Sequence, residues 1–177
     1  MTGGSLDLLD GYCREQYIRI KPQSVVDFGA GKGKHGRILR DLFPDIRIEA
    51  VEVFEPNTIG SEGIYDTTHL QNIVDFCETN KRFYDLAIFG DVLEHLPKEQ
   101  IYYTMYFANR YFKHVVINVP LRNTDQGVVD GNVYERHLSY ITESDFDIYN
   151  VIEKHIIGHP SIKNYFKMNI LIENIDL

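Results

Sequence analysis

Long apolar runs and cysteines are scarce in this sequence. No apolar run reaches the roughly 18 residues that suggest a membrane-spanning helix. The amino terminus lacks the basic and apolar regions of a secretory signal. The two cysteines, Cys13 and Cys77, lack metal-ligand spacing and do not form a disulfide framework. These features predict a cytoplasmic protein with reduced thiols and no membrane association.

Basic residues are also few, with 18 Lys and Arg against 26 Asp and Glu and a formal net charge of -8. Non-specific nucleic-acid binding depends on basic side chains that neutralise phosphates, so this balance disfavours DNA or RNA as a partner. Hydrophobic residues make up 44% of the 177 residues, as in ordinary soluble domains. We expect a single domain over residues 1–177, with a helical segment at 1–22 and a candidate substrate loop at 121–140.

Short β-branched and aromatic runs alternate with stretches of helical spacing. The runs that predict strands are 25–28, 46–53, 73–76, 86–89 and 115–119. Because several are apolar almost throughout, they suit a parallel sheet covered by helices on both faces. Helices are predicted at 35–42 and after Pro97, the second with an apolar stripe at Ile101, Met105, Ala108 and Phe112. The runs 148–157 and 165–173 predict an antiparallel hairpin at the sheet edge.

A glycine-rich turn follows the first predicted strand. Residues Gly31, Gly33 and Gly36 spell the GxGxxG pattern of dinucleotide-binding proteins, and Gly29 precedes them. A strand, a glycine turn and a helix in this order place free backbone N–H groups at the carboxyl edge of the sheet, where α/β proteins bind ligands. The turn therefore indicates a nucleotide-like cofactor, while glycines that serve only the turn remain the alternative.

Two acidic residues bear on the identity of that cofactor. Asp27, at the end of the first strand, would repel a pyrophosphate but could hold a cationic ammonium or sulfonium ligand, which disfavours NAD. At the end of the second strand, Glu52 could accept both hydroxyls of a ribose. Glu55 is the competing candidate for the ribose, since either residue could lie just beyond the strand end.

Ordered motifs in the chain resemble those of class I methyltransferases that use S-adenosylmethionine. The matching segments are VVDFGAGKGKHG, VEVFEP, YDLAIFGDVLEHLPKEQ and NVPLRNTDQGVVDGNVYERHLSYITESDF. The resemblance covers roughly residues 24–145. It implies an α/β fold with a three-layer, Rossmann-like, mostly parallel sheet that ends in an antiparallel hairpin. It also implies S-adenosylmethionine as the cofactor.

The resemblance assigns roles at the carboxyl ends of the strands. Asp27 and the turn at Gly29, Gly31 and Gly33 would face the methionine part, Glu52 the ribose, Asp75 and Phe76 the adenine, and Asp91 the methionine amino group. Two alternatives stay open. Asp75 could be a solvated acid at the end of the strand 73–76, and Asp91 could cap the next short helix.

Two histidines are candidates for the chemical step. S-adenosylmethionine already carries an activated methyl group, so the protein mainly aligns a nucleophile and, where needed, removes a proton. His95 follows the fourth predicted strand and His137 lies in the candidate substrate loop, and either imidazole could act as a general base. A hydrogen bond that fixes the loop is the alternative role for His95. The remaining histidines lack metal-ligand spacing, so no metal is predicted.

The segment after the fourth strand bears on the substrate. GDVLEH stands where amino-directed nucleic-acid methyltransferases carry DPPY or NPPF, which lowers the case for a flipped base as substrate. The polar region 121–140 suits a small polar molecule or a glycan, methylated at oxygen. Two alternatives remain: a noncatalytic module that binds S-adenosylmethionine and a partner, and an NAD-dependent oxidoreductase, which leaves Asp27 and DVLEH unexplained. The sequence does not indicate an oligomeric state.

Overall fold

The computed structural model describes residues 9–121, 125–160, 162–163 and 165–174. These residues form four α-helices around a sheet of seven strands. The helices are α1 (Asp10–Ile20), α2 (Lys34–Leu42), α3 (Ile73–Thr79) and α4 (Lys98–Tyr111). The strands are β1 (Ser24–Phe28), β2 (Arg47–Glu52), β3 (Thr67–Leu70), β4 (Tyr84–Gly90), β5 (Phe112–Leu121), β6 (Val151–Gly158) and β7 (Phe166–Glu173).

The strand order in the sheet is β3-β2-β1-β4-β5-β7-β6. The first five strands pair in parallel, and β7 pairs antiparallel with both β5 and β6. This arrangement confirms the predicted mostly parallel sheet with an antiparallel hairpin. The strand order reverses between β1 and β4, and the crevice outside the carboxyl ends of strands at such a point is where open α/β sheets bind ligands.

Helices cover both faces of the sheet. On one face, α1 and α2 pack against strand residues that include Val25 and Leu86. On the other face, α3 and α4 pack against Val26 and Ala87. Neighbouring residues of a strand point to opposite faces, so an apolar run such as 25–28 supplies both cores at once. The three layers follow directly from this pattern.

The predicted strand 73–76 is wrong. These residues form the first turn of α3, where the side chain of Asn72 caps the helix by accepting a 2.8 Å hydrogen bond from the Asp75 backbone N–H. The third strand is β3, whose sequence TTHL is polar and largely exposed. An edge strand such as β3 needs no continuous apolar run. The apolar segment 73–76 that follows β3 was therefore mistaken for the third strand.

The remaining predicted elements agree with the structure apart from their ends. Ile101, Met105 and Ala108 form the buried stripe of α4, but Phe112 is the first residue of β5. The strands β6 and β7 form the predicted hairpin. In its connection, residues 161 and 164 lie outside the described residues.

The predicted segments at 1–22 and 121–140 are described in part. Helix α1 lies within the first, and Leu9 before it is buried, whereas residues 1–8 lie outside the described residues. The second contains a short 3-10 helix at Val133–Glu135, and residues 122–124 are not described. Among the described helices, none has both the length and the apolar character needed to cross a bilayer. The cytoplasmic location stays a prediction.

Candidate active site

The glycine turn after β1 offers one backbone position to a ligand. Gly29, Gly31 and Gly33 have φ angles of +65°, +53° and +81°, which glycine adopts without steric cost. A Cβ on Gly29 would lie 2.8 Å from Cβ of Val92, and a Cβ on Gly33 would lie 3.0 Å from Ile64. A Cβ on Gly31 would have the Gly29 carbonyl oxygen as its nearest neighbour, at 3.9 Å. Of these three glycines, Gly31 has the most open space beside its Cα, and a contact of this turn with the cofactor stays a prediction.

Glu52 lies beside this turn, as predicted. Its Oε2 accepts a 2.8 Å hydrogen bond from the Gly31 backbone N–H, and its Oε1 accepts one of 2.8 Å from the Phe54 N–H. The residue is buried. Glu55 belongs to the following 3-10 helix and is exposed. The structure thus brings Glu52, and not Glu55, to the turn, while the ribose contact stays a prediction.

Asp27 lies beneath the turn and is only 1% exposed. Its Oδ2 accepts a 2.6 Å hydrogen bond from the Tyr65 hydroxyl. Burial raises the pKa of Asp27 to about 7; the hydrogen bonds from Tyr65 and from the Gly36 backbone oppose this rise, and the charge of Glu52 adds to it. A buried carboxyl group with a raised pKa that is hydrogen-bonded to Tyr65 repels a pyrophosphate less than an ionised, solvent-exposed carboxylate would, so Asp27 is a weaker argument against NAD than the sequence alone suggests. Its contact with the methionine part stays a prediction.

Asp91 forms an ion pair across the sheet. Its Oδ2 accepts a 2.5 Å hydrogen bond from Nζ of Lys167, which is 2% exposed in β7. The alternative that Asp91 caps the next helix is wrong, because the 3-10 helix Leu93–His95 begins after Val92 without a side-chain cap. Lys167 was not among the predicted site residues, although a charged residue within the mostly apolar β7 is a signal that could have indicated it. The contact of Asp91 with the methionine amino group stays a prediction.

Asp75 and Phe76 lie on α3 and not at a strand end. Asp75 is exposed and accepts a 2.6 Å hydrogen bond from the side chain of Asn72. Phe76 is buried and packs edge-on against Phe28, with ring centroids 5.4 Å apart. The strand-end argument for these two residues is therefore wrong. Their contact with adenine stays a prediction, but the argument from a strand end no longer supports it.

His95 and His137 are brought together from positions far apart in the sequence. Their ring centroids lie 5.0 Å apart in an edge-on arrangement. Nδ1 of His95 lies 3.2 Å from the Arg136 carbonyl oxygen, which can only accept, so this nitrogen carries the proton of the hydrogen bond. The loop-fixing bond proposed as the alternative role of His95 is thus present. It also holds the backbone next to His137.

Glu94 lies close to both histidines and is almost fully buried, with 3% of its surface exposed. Burial raises the pKa of Glu94 well above its usual range, and the nearby charge of Asp91 adds to this effect. Burial also lowers the pKa of His95. Ligand atoms of Glu94, His95 and His137 all lie within 4.8 Å of one another. No metal was predicted, and residue spacing does not indicate this cluster because His137 lies far along the chain from Glu94 and His95.

A buried polar network anchors α1 to the sheet near the site. Gln16 donates a 2.7 Å hydrogen bond to Asn169, and Asn169 donates one of 2.9 Å to Asn118. Asn118 donates in turn to Sγ of Cys13 at 3.0 Å. All four side chains are buried, so these hydrogen bonds offset the cost of removing them from water. The network fixes α1 against β5 and β7 behind the carboxyl edge.

The fold and the site together define an α/β protein with a glycine-rich turn after its first strand, at the sheet edge where such proteins bind ligands. Residues 10–148 of the chain match the family described as "Methyltransferase domain". The chain therefore belongs to this methyltransferase family, which confirms the predicted S-adenosylmethionine-dependent enzyme and its cofactor. The alternative of an NAD-dependent oxidoreductase is set aside. No curated protein matches the sequence significantly.

Solved structures of similar fold share little sequence with this chain. The N-terminal domain of EvdMO1 with SAH bound is 13% identical, with a TM-score of 0.68, and the match covers 96% of this chain and 82% of that one. A second EvdMO1 structure, obtained in the presence of SAH and D-fucose, gives 14% identity, coverage of 97% and 85%, and the same TM-score of 0.68. The N-methyltransferase NodS from Bradyrhizobium japonicum WM9 in complex with SAH gives 14% identity, coverage of 96% and 89%, and a TM-score of 0.67.

Proposed function

We propose that this protein transfers the methyl group of S-adenosylmethionine to an oxygen atom of a small polar molecule or a glycan. One observation carries the proposal: the rings of His95 and His137 meet, with centroids 5.0 Å apart, and His95 belongs to the segment that packs on the glycine turn. Val92 packs on Gly29, and His95 is three residues further along the same segment. We infer that the two imidazoles face the methyl group of a cofactor bound at the turn.

The residues around the turn would hold the cofactor. Gly31 presents its backbone at the open point of the turn, and Glu52 lies within hydrogen-bond distance of it. Each carboxylate oxygen can accept more than one hydrogen bond, so Glu52 can receive ribose hydroxyls while it keeps its two backbone donors. Asp91, already paired with Lys167, is proposed to receive the methionine amino group on its remaining acceptor positions.

The acceptor side is formed by the histidines and the polar loop. Methyl transfer to a hydroxyl forms an oxygen–carbon bond and breaks the carbon–sulfur bond, whose electron pair remains on sulfur, and the hydroxyl proton must leave. We assign the handling of that proton to His95 and His137. The N-terminal domain of EvdMO1, which has a similar fold, was crystallised in the presence of SAH and D-fucose, and this motivates a sugar as an acceptor to test. The negative charge of the chain disfavours nucleic acid.

Calorimetry and a turnover assay test this function. S-adenosylhomocysteine should bind with one site per chain, and a panel of sugars and small polar alcohols should yield S-adenosylhomocysteine when S-adenosylmethionine is supplied. His137→Ala should lower turnover about 100-fold or more and leave cofactor affinity unchanged. Cofactor binding without turnover on any acceptor would instead favour the noncatalytic module. No binding at millimolar cofactor would reject both.

A further inference from the structure

The cluster of Glu94, His95 and His137 has the dimensions of a metal site. Two ligand atoms bound to one ion at about 2.1 Å can be no more than about 4.2 Å apart. The ligand atoms here lie within 4.8 Å of one another, so side-chain shifts below about 1 Å would close the cluster around one ion. Two imidazoles and a carboxylate form a typical catalytic set that leaves coordination positions open.

The environment of Glu94 provides independent support. Its Oε2 is buried and has no hydrogen-bond partner among the residues that the structure describes. A buried polar atom without a partner is costly, and for a carboxylate the cost is higher still. A bound cation would compensate this cost directly. Asp91, the neighbouring acid, is instead compensated by Lys167.

Backbone contacts hold the three side chains in this arrangement. Leu138 and Ser139 donate their backbone N–H groups to the Glu94 carbonyl at 2.8 Å and 3.1 Å, which ties the loop of His137 to the segment after β4. The His95 ring is oriented through Nδ1 by the Arg136 carbonyl. Metal-binding histidines commonly donate their second ring nitrogen to a carbonyl in this way, which leaves Nε2 to bind the ion.

We propose that Glu94, His95 and His137 bind a divalent first-row transition metal ion on the acceptor side of the cofactor site. Imidazole ligands suit Zn²⁺ or Co²⁺ better than Mg²⁺, which prefers oxygen. The role of the ion rests on the function proposed above. It binds the acceptor hydroxyl and lowers its pKa. The proton passes to solvent, and the oxygen forms its bond to the methyl carbon as the carbon–sulfur bond breaks. In this arrangement His95 and His137 act as ligands of the ion, and the ion takes the place of an imidazole base in promoting loss of the hydroxyl proton.

Titration of chelator-treated protein with Zn²⁺ and Co²⁺ tests the site without any assay of activity. One ion should bind per chain, and Co²⁺ should give the visible absorption of a site with nitrogen and oxygen ligands. Glu94→Gln and His137→Ala should each weaken binding at least about tenfold. The matched control is His155→Ala, which alters a histidine that contacts a different carboxylate, Glu153, at 2.7 Å. It should bind the ion like the wild type.

A parallel titration with S-adenosylhomocysteine separates this proposal from the proposed function. Cofactor binding with no ion bound, or with equal ion affinity in wild type, Glu94→Gln and His137→Ala, would overturn the metal site and leave the methyltransferase function intact. Ion binding that depends on these residues, in a protein without cofactor affinity, would support the site and reject the function. Binding of Mg²⁺ alone would overturn the proposed class of metal.

Discussion

Val92 occupies the space that a side chain on Gly29 would need. A Cβ on Gly29 would lie 2.8 Å from Cβ of Val92, a distance that real Cβ atoms essentially never show. The segment after β4 is therefore packed directly on the turn after β1. This contact holds the segment that carries His95 against the glycine turn.

Alanine substitutions at two glycines should separate packing from ligand access. Gly29→Ala combines a left-handed φ with the clash against Val92, and we expect a loss of about 2–5 kcal/mol in the free energy of unfolding. Adding Val92→Ala should recover part of this loss. Gly31→Ala has a similar φ but open space, so it should cost about 1–2 kcal/mol and weaken cofactor binding. Urea unfolding and calorimetry measure both; equal stability losses would contradict the packing argument.

Substitution of Glu52 should affect cofactor affinity. In Glu52→Gln, the amide NH₂ would face one of the two backbone N–H groups that now donate to the carboxylate, and the negative charge beside the turn would be lost. We expect affinity for S-adenosylhomocysteine to fall at least tenfold, about 1.4 kcal/mol or more. Glu55→Gln, at the exposed acid three residues on, is the control and should bind normally. Equal effects of the two changes would refute the assignment.

The ion pair of Asp91 and Lys167 should be costly to break from one side. Lys167→Met leaves the Asp91 carboxylate unpaired near Glu94, and we expect a loss of about 3–5 kcal/mol in the free energy of unfolding. The double variant Asp91→Asn with Lys167→Met removes both charges and should recover most of this loss. Chemical denaturation of Lys167→Met, Asp91→Asn and the double variant gives the coupling energy; additive effects would show that the two side chains do not interact.

The raised pKa of Asp27 predicts how the stability of the protein changes with pH. Between about pH 4 and 7 the folded protein retains a proton on Asp27 that the unfolded chain releases, so this group lowers stability as the pH rises. Asp27→Asn lacks this effect. Its stability relative to wild type should therefore increase from pH 4 to pH 7, by about 1.4 kcal/mol for each unit of pKa difference.

His35 titrates in the opposite sense, because burial lowers its pKa to about 4. It is present in both proteins, so the difference between them isolates Asp27. Thermal or urea unfolding at several pH values provides the measurement. Parallel stability curves for the two proteins would mean that Asp27 has an ordinary pKa.

Most of the fold could be predicted because the signals are local. The apolar runs of β1, β2, β4 and β5 and the stripe of α4 depend on residue spacing within one element. The third strand could not be found this way, because β3 lies at the sheet edge and its exposed sequence TTHL has no apolar pattern. A short apolar run in the first turn of a helix looks like a short strand in the sequence. The two can be told apart only when a helix cap such as Asn72 is recognised.

The site, like the fold, could be predicted from the sequence only in part. The order of the glycine turn, the acidic residue after the second strand and the DVLEH motif was enough to predict the methyltransferase family and its cofactor. It also predicted that Asp27, Glu52 and Asp91 lie near the ends of their strands. Only the tertiary structure decided what these groups contact: Tyr65 beneath the turn and Lys167 opposite Asp91. Burial and pairing depend on residues distant in sequence. A sequence thus supplies the chemical groups of a site, and packing sets their charge states and partners.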